Sequence, residues 1–333
     1  MRVPKSLPLA LAGLIAIAAF AQDAPPPAEP PAGPEQPQPG LSDLQNTVET
    51  LQDETAPPAD PLSEPAPEPT PPPEPAPQPA PAPAPARPPE PLTRAQRAEL
   101  EAAVARGRLL GVIAAAGQVA TRDMLSRVSD PEGAGISGWI AEPEGNGVIV
   151  TFYADADAGP AAVYRVNILG GRIQGREIFL TGTRPPLNPI QARMAAARRA
   201  AAGQEHRPCG GTEFNYFVVP PSAVDGPIDV YQISPQTARG RYPIGGHFKT
   251  SVAADGSIVA SRGFTNACLD AAVAEPAPGA RPEPIAVTYL LGDLPAEAHV
   301  FLSVWAGRPL LVVAGDPQRV FAVTPNGIAE VPR

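Results

Sequence analysis

The chain has 333 residues, a formal charge of −9 and 49 prolines, and the charge and the prolines are unevenly distributed. Residues 22–93 hold 26 prolines and twelve acidic residues against one arginine, whereas residues 94–333 hold 22 acidic and 22 basic side chains. The part that is long enough to fold is therefore electrically balanced. This excludes nucleic acid as an expected main partner, because binding phosphates requires a basic surface.

Residues 1–21 have the pattern of a secretory signal peptide. Arg2 and Lys5 give a positive start, Leu7 to Phe20 form an apolar run, and small residues precede a cleavage point after Ala21. The run of 14 residues is shorter than the roughly 20 residues that cross a bilayer. No later apolar run in the sequence is long enough either, so we expect no integral membrane span after cleavage. The sequence predicts a periplasmic or secreted protein.

Residues 22–93 form a proline-rich, acidic linker that we expect to be disordered. Its repeats of Pro with Ala or Glu, as in Glu74-Pro75-Ala76-Pro77-Gln78-Pro79, favour the extended polyproline II conformation. At about 3.1 Å per residue, residues 57–91 would span on the order of 100 Å. These repeats resemble the linkers of TonB-type envelope proteins, and the resemblance covers the linker alone. The linker is expected to act as a stiff spacer.

One short segment interrupts the linker. Its apolar residues are Leu41, Leu44, Val48 and Leu51, at spacings of three and four. This spacing places them on one face of a helix, which is too short to be stable alone. We therefore interpret the segment as a candidate docking motif for a partner protein, with a transient helix in a disordered tail as the alternative.

The predicted folded part opens with a helix. Thr93 and Gln96 have the spacing of a capping box, and the following residues have high helix propensity. Gly107, Gly111 and Gly117 in this run indicate either two helical segments or a close approach of backbones. A stop is expected at Ser129-Asp130-Pro131.

A second helix is predicted from Asn188 as N-cap, Pro189 at the first position and Gly203 beyond the end. Between the two helices, alternating apolar residues and turn dipeptides predict a meander of four antiparallel strands over residues 136–181. Further strands are predicted at about 213–220, 227–234, 246–253, 256–264, 285–291, 299–306, 309–314 and 319–324.

The fold class predicted from this pattern is α+β, because strands and helices do not alternate as they do around a parallel sheet. We divide the folded part into a helix-flanked meander at 94–205 and a β-rich half at 206–333. The sequence does not decide whether the two halves share one core.

Cys209 and Cys268 are the only cysteines, and an even number in an exported chain predicts a disulfide. The alternative is a zinc site that combines both thiolates with His206. That alternative lacks the second closely spaced ligand pair of zinc sites, so no metal and no cofactor is predicted.

Segment 239–249 is the candidate ligand-binding site. It combines four residues that suit an anion, Arg239, Arg241, His247 and Lys249, with two adjacent glycines and no acidic residue. Arginine side chains and glycine N–H groups together can hold an anionic group. A basic surface turn is the alternative interpretation.

Three functions follow from the sequence. The favoured one is an exported, non-catalytic cell-envelope protein that presents a disulfide-clamped domain on its linker to a protein or a polymer. The second is a small-molecule or anion-binding module that uses segment 239–249. The third is a hydrolase with His247 as general base, which no motif in the sequence favours.

Overall fold

The structure is a computed structural model that describes residues 90–210, 213–277 and 279–332. The predicted signal peptide, the candidate docking motif at residues 41–51 and the linker up to residue 89 lie outside the described residues. Within them, three helices and fourteen strands form the α+β fold that the sequence predicts.

The helices are α1 (Arg94–Leu125), α2 (Pro189–Ala202) and α3 (Glu297–Ala306). In chain order, the strands are β1 (Ile136–Glu144), β2 (Gly147–Ala154), β3 (Ala161–Leu169), β4 (Arg172–Ile178), β5 (Asn215–Val219), β6 (Ile228–Ile233), β7 (Arg241–Pro243), β8 (Phe248–Val252), β9 (Ile258–Gly263), β10 (Asp270–Ala272), β11 (Ile285–Tyr289), β12 (Leu310–Ala314), β13 (Arg319–Thr324) and β14 (Gly327–Glu330).

The first helix begins where the sequence predicts and ends earlier. The Thr93 hydroxyl accepts a hydrogen bond from the Gln96 N–H, and the Gln96 side chain accepts one from the Thr93 N–H, which completes the capping box. The helix is unbroken over 32 residues and ends at Leu125. Its glycines therefore mark close approaches rather than a break. A Cβ atom on Gly107 would lie 2.5 Å from the Cβ atom of Val300 on α3.

Helix α1 is also long and apolar enough, by length and composition alone, to cross a membrane. Ten of its residues are buried in the protein's own core, as in the core helix of a globular domain. Such a helix is weak evidence for a membrane span. The absence of a span after the signal peptide stays a prediction.

Strands β1 to β4 form the predicted antiparallel meander, with each strand next to its sequence neighbours. Gly170 and Gly171 form the two-residue turn between β3 and β4, and both have positive φ, which glycine adopts without strain. The second helix, α2, has the predicted Asn188 cap, and Gly203 follows its last residue as the C-cap. It packs on β1 and on the second sheet.

The second sheet is antiparallel and has the strand order β5-β6-β8-β9, with β9 at one edge. Strands β7 and β10 form a separate pair. One face of the second sheet packs on α2 through Val218, Val230 and Val252. The opposite face bears Tyr231 and Lys249 and lies toward α1 and α3.

The strand predicted at 299–306 is wrong, because these residues belong to α3. Val300, Phe301 and Leu302 are consecutive and all buried, so the segment has neither the alternation of a half-buried strand nor a polar helix face. A short apolar run of this kind does not reveal its secondary structure by periodicity. Helix α3 connects β11 to β12, which pair in parallel, and β12, β13 and β14 continue the third sheet antiparallel. One strand–helix–strand unit is therefore present within the α+β fold.

The largest core cluster contains Leu110 and Ile113 of α1 together with Phe217, Phe301 and Phe321 from the C-terminal half. Residues on either side of position 205 thus share one core. The described residues, from position 90 onward, belong to one compact unit.

Candidate functional site

Cys209 and Cys268 form the predicted disulfide. The bond joins the segment after α2 to the loop between β9 and β10. The Cys209 N–H donates to the Ser234 hydroxyl at 2.8 Å, and that hydroxyl donates to the Gly246 carbonyl at 2.7 Å. The disulfide therefore sits in a hydrogen-bonded cluster, and the bond consumes the thiolates that a zinc site would need.

The structure does not bring the four predicted ligand residues together. Arg239 lies 2.6 Å from Glu275 on the surface, and Arg241 lies 3.7 Å from Asp270. Both guanidinium groups therefore already have carboxylate partners. Lys249 lies elsewhere, on β8, among buried charges. Anion binding by segment 239–249 stays a prediction.

His247 is buried and fully hydrogen bonded. Its Nδ1 atom accepts from the Ser234 N–H at 3.1 Å, and its Nε2 atom lies 2.9 Å from the Pro243 carbonyl oxygen, to which it donates. Burial lowers the pKa of His247 to about 4. Because both ring nitrogens are used within the protein, this geometry gives no support to His247 as a general base.

A polar cleft of about 330 Å³ lies between α1, the segment before α3 and the second sheet. We call it the Glu297 cleft, after the buried carboxylate on its floor. Basic residues from three elements line it, namely Arg106 of α1, Lys249 of β8 and Arg262 of β9. Tyr231 and Tyr289 add two hydroxyl groups.

Glu297 is 8% exposed and makes the densest contacts in the cleft. One guanidinium nitrogen of Arg262 lies 2.9 Å from both carboxylate oxygens. The Lys249 ammonium lies 3.6 Å away, and the Tyr231 hydroxyl donates a hydrogen bond at 3.1 Å. Glu297 also occupies the first turn of α3, where the helix dipole favours a negative charge.

Asp229 extends the network toward α1. Its carboxylate lies 3.8 Å from the Lys249 ammonium and 3.6 Å from Arg106, and it accepts a hydrogen bond from the Ser251 hydroxyl at 2.5 Å. The charges thus alternate from Arg106 through Asp229, Lys249 and Glu297 to Arg262. Each buried carboxylate has cationic neighbours, as burial of a charge requires.

The pKa shifts follow from this arrangement. Burial alone would raise the pKa of Glu297, but Arg262 and Lys249 outweigh burial and hold the pKa below its usual range. Burial, followed by the negative charge of Glu297, raises the pKa of Tyr231. Glu297 is therefore an anion and Tyr231 a neutral hydrogen-bond donor at neutral pH. The network holds α1, α3 and the second sheet together.

The sequence did not predict this network apart from Lys249. Asp229, Arg262 and Glu297 lie far apart in the chain, and each looks like an ordinary surface charge in its local sequence. Glu297 also falls next to the segment that the sequence assigns to a strand. Their proximity depends on α3, whose helical state the apolar run did not reveal.

The other face of the second sheet carries a second polar cluster. His206, in the loop after α2, stacks on Phe248 with ring centroids 4.1 Å apart and an angle of 8° between the planes. Its Nδ1 atom lies 2.7 Å from the Gln232 Oε1 atom, and its Nε2 atom lies 3.2 Å from the Ser261 hydroxyl. His206 thus links β6 to the edge strand β9.

A scan against protein-family models found no match, and searches of curated proteins and of solved structures found no match either. The function is therefore argued from the residues of this chain.

Proposed function

We propose that the protein is an exported cell-envelope protein that presents its disulfide-clamped domain, on the proline-rich linker, to a protein or polymer partner. The observation that carries the proposal is the Cys209–Cys268 disulfide. Disulfides persist in oxidising compartments outside the cytosol. The positive and apolar pattern of residues 1–21 supplies the route of export.

The end of the linker is attached to the domain, which supports a role as a tether. Arg319 of β13 donates a hydrogen bond to the Glu90 carbonyl, and Arg97 of α1 donates one to the Leu92 carbonyl. Leu92 also packs against the core. These contacts fix the last residues of the linker, Glu90 and Leu92, on the domain. A force transmitted along the linker would therefore act on the N-terminal end of α1.

Of the two alternatives, the structure gives more support to ligand binding than to a hydrolase based on His247. His247 is enclosed, whereas Lys249 lines the Glu297 cleft together with Arg106 and Arg262. The lining also includes Glu99, Asp293 and Glu297, so its charges are balanced, and we propose binding of a small polar molecule that carries an anionic group in this cleft as the second candidate function. Titration of the protein with phosphate and citrate, followed by amide NMR shifts, should affect residues of the cleft. The anions are added to about 10 mM, roughly ten times the Kd of a millimolar binder. Unchanged NMR shifts at this concentration would contradict this candidate.

Export is tested by fractionation of the native cell combined with thiol labelling. The mature chain should begin at Gln22, be recovered outside the cytoplasm and resist maleimide until a reductant is added. A matched variant that lacks residues 2–21 should stay in the cytoplasm with two reactive thiols. A wild-type chain that keeps residues 1–21 and has two free thiols in the cytoplasm would contradict the proposal.

Presentation is tested by deleting residues 22–89 while keeping the signal peptide. The domain should still be exported and oxidised, because the deletion keeps Glu90 and Leu92, which contact the domain. Photocrosslinking in the cell should then lose the complex that the full-length chain forms. Equal yields of the same complex from both chains would show that the linker does not present the domain.

A further inference from the structure

Ser261, His206 and Gln232 have the order of contacts found in a nucleophile, a base and a group that orients the base. The Ser261 hydroxyl lies 3.2 Å from His206 Nε2, and His206 Nδ1 lies 2.7 Å from Gln232 Oε1. An amide oxygen only accepts hydrogen bonds, so Nδ1 carries the proton. His206 Nε2 therefore presents its lone pair to the Ser261 hydroxyl.

Buried side chains of the second sheet hold the arrangement in place. Gln232 is only 1% exposed, and the stacked ring of Phe248 fixes the plane of His206. Ser261 lies at the other end of the series and is exposed to solvent. The orienting group is thus buried while the hydroxyl can be reached by a substrate. A neutral amide in the orienting position suffices in the cysteine–histidine–asparagine version of this arrangement.

Strand pairing places backbone donors beside Ser261. In an antiparallel pair, alternate residues direct their N–H groups toward the partner strand. The Phe264 N–H donates to the His247 carbonyl at 2.9 Å, immediately after the Gly263↔Phe248 pair. The Arg262 N–H, two residues before Phe264, therefore also points to β8. The N–H groups of Ser261 and Gly263 point to the outer edge of β9. Residues i and i+2 of a strand are about 6.6 Å apart, so only one of these N–H groups can reach a given oxyanion, and it is a single donor beside the nucleophile.

We propose that Ser261 is the nucleophile of an acyl-ester hydrolase site, with His206 as general base and Gln232 as its positioning residue. The Ser261 oxygen attacks the ester carbonyl, and its proton moves to His206 Nε2. The C–O bond to the alcohol then breaks, and the alcohol leaves with that proton. Water, deprotonated by His206, attacks the acyl-serine, which releases the acid and restores the Ser261 hydroxyl.

The position of the site limits the class of substrate. β9 is an edge strand, so Ser261 lies at an open rim that can approach an ester on a large or polymeric alcohol. A bulge interrupts the alternation of β9 between Ile258 and Ala260, and Ile258 and Val259 beside it are 39% and 59% exposed. Two exposed aliphatic side chains offer a small apolar contact, which matches a short acyl group better than a long chain. We therefore assign acetyl-sized esters as the substrate class.

This activity goes beyond presentation and replaces the expectation of a non-catalytic domain. It also moves the base of the hydrolase alternative from His247 to His206. The sequence could not reveal the site, because its three members lie on a loop and two strands separated by up to 55 positions.

The test uses the oxidised mature chain and p-nitrophenyl acetate, with a fluorophosphonate probe followed by peptide mapping. General-base catalysis is worth about 10²–10⁴-fold and is lost with the hydroxyl on which the base acts. Ser261→Ala should therefore lower the rate at least about 100-fold, and in the wild type the probe should modify Ser261. Ser257→Ala is the matched control, since that exposed hydroxyl bonds to Asp255 at 2.6 Å instead of to a histidine. Its rate should equal that of the wild type.

His206→Gln should lower the rate and remove its dependence on pH, while the melting temperature checks that the variant is folded. Gln232→Leu should lower kcat with little change in KM, and Gln232→Glu should restore kcat, because a carboxylate oxygen can again accept from Nδ1. A purely structural Gln232 would leave kcat per folded molecule unchanged. Absence of hydrolysis by the wild type, a Ser261→Ala rate equal to it, or labelling spread equally over Ser257 would overturn the proposal.

Discussion

The contribution of an ion pair to stability depends on how far its side chains are buried, as the Glu297 cleft and the surface pair Arg239–Glu275 show. The Glu297 carboxylate has little contact with water and depends on Arg262, Lys249 and Tyr231 for its stabilisation. Glu275 also has an arginine partner, at 2.6 Å, but the side chains of Arg239 and Glu275 are 87% and 78% exposed. Water solvates the second pair in the folded and the unfolded chain alike. The pair of Arg239 with Glu275 should therefore contribute less to stability than the contacts of Glu297, although its distance is shorter.

Glu297→Gln should destabilise the fold. The substitution keeps the shape but leaves Arg262 without its anion and Lys249 with Asp229 alone. Loss of one partner of a buried ion pair costs several kcal/mol, and because the Arg262 side chain is 45% exposed we expect about 2 kcal/mol. Urea unfolding with an unchanged m-value would measure it. In the matched control, Glu275→Gln, the midpoint should not move measurably, and a larger loss in this control would contradict the argument.

The buried histidines make stability depend on pH. Burial lowers the pKa of His247 and of His299 to about 4 each, while in the unfolded chain both titrate near their usual value of about 6.5. Between these pH values the unfolded state binds more protons, so stability is complete above about pH 6.5 and falls toward pH 4. From pH 6.5 to 5 the loss should be on the order of 2 kcal/mol for each histidine.

Urea unfolding at pH 7 and pH 5 tests this expectation. The range above pH 5 avoids the carboxylate of Glu297, whose lowered pKa affects stability only in stronger acid. The variant His247→Gln should lose about half of the pH dependence, whatever its absolute stability. An equal free energy of unfolding at both pH values in the wild type would rule out the burial argument.

Among the secondary-structure elements, α1 and α3 approach closely at two glycines of α1, Gly107 and Gly111. A Cβ atom on Gly107 would lie 2.6 Å from the Glu297 carbonyl oxygen, which belongs to the backbone and cannot turn aside. A Cβ atom on Gly111 would meet a methyl group of Val304 at 2.7 Å, and this half-buried side chain can adjust. The two glycines are one helical turn apart yet face different obstacles.

Gly107→Ala should therefore destabilise the protein, although alanine favours the helix by about 1 kcal/mol. Overpacking against the α3 backbone should outweigh this gain and leave a net loss of about 2 kcal/mol. Gly111→Ala is the matched control and should change stability by less than about 1 kcal/mol. Combined with Val304→Ala, it should cost less than the sum of the single changes. Equal losses at Gly107 and Gly111 would count against the distinction.

Elements with local signals were predictable from the sequence. The caps of α1 and α2 involve residues three positions apart, and the meander has alternating apolar residues with two-residue turns, so short windows contain the information. Helix α3 has no such signal, because its helical state depends on burial on all sides. The short pair of β7 with β10 depends on residues about 30 positions apart and was also not predicted.

The same reasoning separates the sites. The disulfide was predictable because a chain with two cysteines allows only one pairing. The Glu297 cleft and the polar cluster of His206 and Ser261 each depend on the register of the second sheet. This register places Lys249 beside Arg262 and Thr250 beside Ser261. A sequence window contains no information on this register. The four residues of segment 239–249 looked like a group only because they are close in the chain.

For the whole molecule, the second sheet connects the two polar sites. Odd-numbered residues of β8 face α1 and α3, where Lys249 contacts Glu297, and even-numbered residues face α2, where Phe248 supports His206. The disulfide lies at the end of this sheet, next to the turn that enters β8. A Cβ atom on Gly246 would lie 2.5 Å from the Cys209 sulfur. Loss of the disulfide should therefore affect both faces together.

The variant with Cys209→Ala and Cys268→Ala should be less stable by about 4 kcal/mol, the chain-entropy value for a loop of this length. The cysteines are 59 positions apart, so the bond restricts a large part of the unfolded C-terminal half. Urea unfolding under oxidising and reducing conditions measures the effect. The wild type should fall to the level of the variant when reduced, and the variant should not respond to the reductant. A wild type with the same midpoint under both conditions would show that the hydrophobic core shared by the two halves, and not the disulfide, sets the stability of the second sheet.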